Sequence, residues 1–86
     1  MSEKIIFSII TPDKKNSFKI SKLYIKTIMG YSTILHGHAD LITVVTPSKG
    51  FFEIKNKINF KINTESILNI KNGKIELITD NIIIYT

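Results

Sequence analysis

His36 and His38, the only two histidines of this chain, lie with Asp40 in one short segment and are its most obvious candidates for metal chemistry. Imidazole nitrogens and carboxylates are common zinc ligands, and His38 with Asp40 could begin such a site. No cysteine is present to complete it, and two ligands do not make a zinc site. We therefore expect no metal and no cofactor, and we interpret His38 as a turn or contact residue.

Nucleophilic chemistry has one weak candidate, because Ser32 and Thr33 lie near His36. A histidine can activate a hydroxyl, but acyl transfer also needs donors that stabilise an oxyanion. No glycine-rich stretch accompanies these residues, and none of the four glycines belongs to a loop that could hold a phosphate. The sequence therefore predicts a protein that is not an enzyme.

Short β-strands with frequent turn signals must position these residues. The apolar segment of residues 4–10 stops at Thr11-Pro12-Asp13, where proline removes a ladder donor. Between residues 18 and 28 the apolar alternation changes phase near Ser21, which predicts a bulge or a strand break. A turn at residues 55–57 joins two alternating strands.

The last third of the chain carries the strongest hairpin signal. Asn72-Gly73 suits a type I′ turn, because both central residues of that turn need positive φ. Another turn at Asp80-Asn81 precedes the final apolar strand, 82–85. We predict a single all-β domain over residues 1–86, a flattened antiparallel β-sandwich or barrel of about eight to ten short strands.

The charge of the chain suggests a second class of function. The formal net charge is +5, yet all twelve basic residues are lysine. Arginine is preferred for bidentate phosphate contacts, so its absence weakens a nucleic-acid interpretation. Tyr24 and Phe51, which have lysines nearby, could still stack on bases. A small basic β-barrel that binds single-stranded nucleic acid stays as the alternative, beside an interaction domain with an unrelated partner.

One segment suggests a family. Its sequence is Gly30-Tyr31-Ser32-Thr33-Ile34-Leu35-His36-Gly37-His38-Ala39-Asp40-Leu41. It resembles the Gly-x-x-Gly-Ile-Leu-x-Gly-His-Ala-x-Leu signature of the epsilon subunit of F-type ATP synthases. Thr11-Pro12-Asp13 resembles the Val-Thr-Pro-Glu turn of that family, and residues 74–80 resemble its Val-Thr-Val-Leu-Ala-Asp strand. Thr33 replaces the second signature glycine, so a positive φ there would cause strain unless the backbone is remodelled.

The resemblance implies a non-catalytic rotor subunit of the central stalk, without a cofactor and without nucleic acid. Such a subunit links the gamma subunit to the c-ring and couples ion translocation to ATP synthesis. The residues expected to contact the c-ring are Gly30, Tyr31, Ser32, Ile34 and His38. Those expected to contact gamma are Thr11, Leu41, Thr43 and Val45.

Two further expectations follow from the same resemblance. Epsilon subunits continue into a helical hairpin that can inhibit rotation, whereas this sequence stops at Thr86, so we expect a subunit that couples without that inhibition. The expected location is the cytoplasmic face of a bacterial inner membrane, with an organelle as the second choice. Membrane association would occur only through the complex, since no apolar run approaches the length of a membrane helix.

Overall fold

A computed structural model describes residues 4–85, which form ten β-strands and no helix. Within this range there is consequently no helix that could span a membrane. The strands are β1 Ile5–Ile10, β2 Lys15–Ile20, β3 Lys22–Thr27, β4 Gly30–Ile34, β5 Leu41–Val45, β6 Ser48–Glu53, β7 Lys57–Ile62, β8 Ser66–Lys71, β9 Lys74–Ile78 and β10 Ile82–Tyr85.

All ten strands belong to one curled sheet, in the order β10-β7-β6-β3-β5-β8-β9-β1-β2, with β4 paired to β3. This confirms the predicted all-β fold. The paired strands are antiparallel except for β1 and β9, which run parallel. The predicted antiparallel arrangement thus holds for every other pair. The sequence did not reveal the parallel pair, because strands that pair in parallel are not joined by a short turn.

The core lies inside the curl. Along most strands the side chain of every second residue points into it. Phe52 is at its centre, fully buried, with its ring centroid 5.3 Å from that of Phe7 and 5.2 Å from that of Phe18. The buried apolar residues are Ile5, Phe7, Ile9, Ile20, Leu23, Ile25, Ile34, Val45, Phe52, Phe60, Ile62, Leu68, Ile70, Ile75 and Leu77.

Two predicted interruptions of the strands are confirmed, one a strand break and one a turn. Ser21 separates β2 from β3, and its amide donates to the Glu53 carbonyl at 2.8 Å, so the phase change is a strand break. Asn72 and Gly73 have φ of 53° and 75°, as a type I′ turn requires. The Asn72-Gly73 signal therefore predicted the β8–β9 hairpin correctly.

Backbone positions that need glycine differ from those the family signature suggested. Asn72 is the one non-glycine residue with positive φ among residues 4–85, and Thr33 lies inside β4 without such strain. At Gly50 a Cβ atom would lie 2.5 Å from the Tyr24 carbonyl oxygen and 2.6 Å from the Phe60 ring. Gly50 thus allows β6 to pass close to β3 while the Phe60 ring fills the core beneath it.

Candidate interaction surfaces

The side chains of β5 alternate in the opposite phase to the one predicted. Leu41, Thr43 and Val45 are aligned with the core-side residues of β8, and Val45 is fully buried. Ile42 and Val44 therefore face outward. Val45, one of the predicted gamma contacts, instead has its side chain in the core, where it is not open to a partner.

The outward residues of four neighbouring strands form a line of aliphatic side chains. Val44 of β5 is aligned with Ile67 of β8, Ile67 with Ile78 of β9, and Ile78 with Ile10 of β1. We call these four residues the apolar row. At about 4.8 Å per strand, it is about 14 Å long. Ile67 is 47% exposed and Ile78 42% exposed, so much of the row faces water.

Further apolar side chains extend this surface beyond the row. Ile42 precedes Val44 on the same face and is exposed, as is Ile28, whose amide donates to the Val44 carbonyl at 3.0 Å. At the other end the row borders a shallow groove of about 390 Å³ whose lining includes Thr11 and Pro12. Thr11, one of the predicted gamma contacts, therefore lies beside the apolar row.

Buried hydroxyl groups hold the strand ends beneath the row in place. Ser66 donates to the Thr79 side-chain oxygen at 2.8 Å, and Thr79 donates in turn to the Asn81 carbonyl at 3.2 Å. The Thr79 amide also donates to the Ile10 carbonyl at 3.0 Å. Since both hydroxyl-bearing residues are buried, these bonds fix β8, β9 and β1 together. The row is preformed rather than assembled on binding.

The histidine-containing connection between β4 and β5 is a tight turn. The His38 amide donates to the Leu35 carbonyl at 3.2 Å, and Gly37 has φ of 86°, as the third residue of a type II turn requires. The Asp40 side chain accepts a hydrogen bond from the backbone amide of Asn72 at 3.0 Å, which ties this connection to the β8–β9 turn. Asp40 is therefore a structural acceptor.

No cluster of three or more potential metal ligands occurs within residues 4–85. The ring of His38 forms a short contact of 2.7 Å between Nδ1 and the carbonyl oxygen of Ala39. His38 is thus engaged with its own turn while its ring stays exposed.

The residues predicted to contact the c-ring do not form one patch. Gly30, Tyr31, Ser32 and Ile34 belong to strand β4, and Ile34 is buried in the core. The Ile34 side chain is therefore not open to a partner in this chain. Gly30 and Ile34 are about 13 Å apart along an extended strand, which places Tyr31 and His38 toward opposite ends of β4.

Tyr31 belongs to a stack of aromatic rings that the sequence did not reveal. Its ring lies parallel to that of Tyr24, 4.9 Å between centroids, and Tyr24 stacks on Phe51 at 5.2 Å. The ammonium of Lys26 lies 5.6 Å from the Tyr31 centroid, and that of Lys57 lies 4.5 Å from the Phe51 centroid. Tyr24 and Phe51 are half-buried within the stack, whereas Tyr31, at its end, is 50% exposed.

The described residues thus form a small curled sheet that presents an apolar row on one half of its outer face. The chain belongs to the family of ATP synthase delta/epsilon β-sandwich domains. The sequence profile of that family, described as "ATP synthase, Delta/Epsilon chain, beta-sandwich domain", matches residues 4–85. No curated protein sequence matches the chain.

Solved structures with the same fold come from mitochondrial ATP synthases. A chain in the cryo-EM structure of the Euglena gracilis enzyme, comprising OSCP, F1 and c-ring, superposes with a TM-score of 0.86 at 17% identity. The match covers 94% of this chain and 53% of that one, so this chain spans about half of its relative's length. A chain from the Tetrahymena thermophila central stalk and c-ring gives a TM-score of 0.80 at 15% identity, covering 95% of this chain and 67% of that one.

Proposed function

We propose that this chain is a non-catalytic subunit of the central stalk of an ATP synthase. It links the gamma subunit to the c-ring and couples ion translocation to ATP synthesis by rotating with both. Family membership supports this proposal, as does the fold shared with chains of two ATP synthase structures. The observation that carries it is the apolar row, a rigid aliphatic surface that this chain leaves open to water.

The proposed gamma contact is the apolar row together with Thr11 and Ile42. Full burial of an aliphatic side chain contributes about 1.5–3 kcal/mol, and the half-exposed Ile67 and Ile78 would gain a fraction of that each. Several such contributions on a preformed surface support a lasting interface, because little ordering has to accompany binding. A rotor contact must persist under load, which suits this arrangement.

The proposed c-ring contact is the turn of residues 35–38, with His38 exposed at its end. The Asp40–Asn72 hydrogen bond holds this turn against the β8–β9 hairpin, so a load on the turn passes into the sheet. Tyr31 and Ser32, toward the opposite end of β4, would contact the ring only at a second point. Attachment to the membrane would then be peripheral, on the cytoplasmic face of a bacterial inner membrane or in an organelle.

Co-purification of the tagged full chain from its native cells, followed by mass spectrometry, tests the proposal. We expect the alpha, beta and gamma subunits in stoichiometric amounts. Recovery of unrelated proteins or nucleic acid alone would overturn it.

A matched pair of variants tests the apolar row itself. Ile67 and Ile83 are 47% and 49% exposed, and only Ile67 lies in the row. We expect Ile67→Gln to weaken gamma binding by roughly tenfold or more, since a buried amide would lack partners, while Ile83→Gln changes it by less than about twofold. Equal losses from both variants would exclude the row as the gamma contact.

A further inference from the structure

A second outward surface lies on β3, β6 and β7, on the half of the sheet away from the apolar row. Its outward positions alternate with core residues such as Phe52 and Phe60, and they carry five lysines and one glutamate. The positions are Lys22, Tyr24, Lys26, Lys49, Phe51, Glu53, Lys57, Asn59 and Lys61. We call this surface the basic face.

The basic face has a carboxylate at one end only. Glu53 is directly opposite Lys22 on β3 and Lys57 on β7, and its carboxylate lies 3.9 Å from the Lys22 ammonium. At the other end Lys49 is directly opposite Lys61, and both side chains are exposed. Glu53, the single carboxylate among the described positions of the face, is about 13 Å from Lys49 along β6.

Two like charges directly opposite each other on a sheet destabilise the fold, because their Cβ atoms are only about 5 Å apart. A bound anion between Lys49 and Lys61 would relieve this repulsion. The ring stack beside them adds rigidity, since Phe51 follows Lys49 by two residues on the same face and is held by Tyr24 and Lys57. The Lys49–Lys61 pair is thus suited to bind an anion beside a set of stacked rings.

We propose that the Lys49–Lys61 pair, with the adjoining ring stack, binds an acidic segment of a partner protein through its carboxylates. Nucleic acid fits less well, because arginine is absent from the chain and because Tyr24 and Phe51, the two rings of this face, are half-buried and stacked on each other. A bilayer fits less well too, because Tyr24 and Phe51 are half-buried and stacked instead of projecting beyond the lysines. This inference does not depend on the apolar row or its partner.

The chain contains a matched control for this pair. Lys71 and Lys74 are also directly opposite each other and exposed, but they flank the β8–β9 turn on the other half of the sheet. There the Asp40 carboxylate is bonded to Asn72, between the two lysines, and Glu76 follows Lys74 by two residues on the same face. Substitution of either pair changes the net charge by the same amount.

Binding of a fluorescent glutamate-rich peptide to the full chain tests the proposal by anisotropy. We expect Lys49→Gln with Lys61→Gln to weaken binding roughly tenfold, and Lys71→Gln with Lys74→Gln to change it less than about twofold. Urea unfolding of both double variants should show intact domains.

Three results would overturn the proposal. The peptide could fail to bind the unmodified chain, or both double variants could weaken it equally, which would reduce the effect to net charge. Tighter binding to oligothymidylate, or to vesicles of phosphatidylcholine and phosphatidylglycerol, would assign the face to nucleic acid or to lipid instead.

Discussion

The two halves of the curled sheet enclose the same core and present opposite chemistry to the outside. On β5, β8, β9 and β1 one line of outward residues forms the apolar row, whereas β3, β6 and β7 carry the basic face with its stacked rings. Inward positions must be apolar for the fold to form, but outward positions are free of that requirement. The core therefore does not account for the difference between the halves.

We expect the largest loss of stability from a substitution in the shared core. Phe52 and Phe51 are neighbours on β6, but Phe52 is fully buried and Phe51 belongs to the outer ring stack. We expect Phe52→Ala to lower the free energy of unfolding by about 3–5 kcal/mol, and Phe51→Ala by about 1 kcal/mol. Urea unfolding measures both. Equal losses would show that the ring stack is part of the core rather than a separate surface.

The close approach of β6 to β3 should give a smaller loss of stability on substitution. The strands of the basic half should then open first. An added methyl at Gly50 would collide with the Tyr24 carbonyl and with the Phe60 ring. We expect Gly50→Ala to cost about 1–3 kcal/mol, since backbone cannot move as freely as a side chain. Hydrogen exchange should show earlier opening of β3 and β6 than of β8 and β9. Uniform loss of protection across the sheet would contradict this separation.

A hydrogen bond joins the connection between β4 and β5, which contains His36 and His38, to the β8–β9 turn. Asp40 accepts from the Asn72 amide, so Asp40→Ala should cost about 0.5–1.5 kcal/mol, while Asp40→Asn keeps an acceptor and should cost less. Thermal unfolding of the two variants measures the difference. If Asp40→Ala were as stable as the unmodified chain, the turn would not be tied to the hairpin.

The smallest predicted effect is a gain in stability. Lys49→Gln removes one charge of the Lys49–Lys61 pair, and we expect the isolated domain to gain a few tenths of a kcal/mol at low ionic strength. Salt screens charges that are exposed, so the gain should disappear at about 1 M salt. A gain that persists there would point to strand propensity instead of charge. Urea unfolding at both salt concentrations distinguishes the two causes.

Much of the fold was predictable because its signals are local. Ser21 marked a strand break through a change of alternation, and Asn72-Gly73 marked a type I′ turn through the φ values those residues tolerate. The family signature in residues 30–41 was also recognisable, since it needs only residue order. The contact surfaces were less predictable, because they depend on which way each side chain faces.

Strand β5 shows why. Leu41-Ile42-Thr43-Val44-Val45 contains no charged residue, so both alternation phases are equally plausible from the sequence. Pairing with β8 resolves the choice by aligning Val45 with the buried Ser66, which turns Ile42 and Val44 outward. Likewise, Tyr24, Tyr31 and Phe51 come from three separate strands, and they form a stack only when β3 pairs with both β4 and β6.

Residue order alone established an all-β chain, the position of its tight turns and its family, because alternation and turn geometry act over a few neighbouring residues. The parallel β1–β9 pair, the phase of β5 and the apolar and basic surfaces arose from pairings between residues far apart in the chain. Such pairings are chosen by how all the strands pack around one core, and no short segment carries that information.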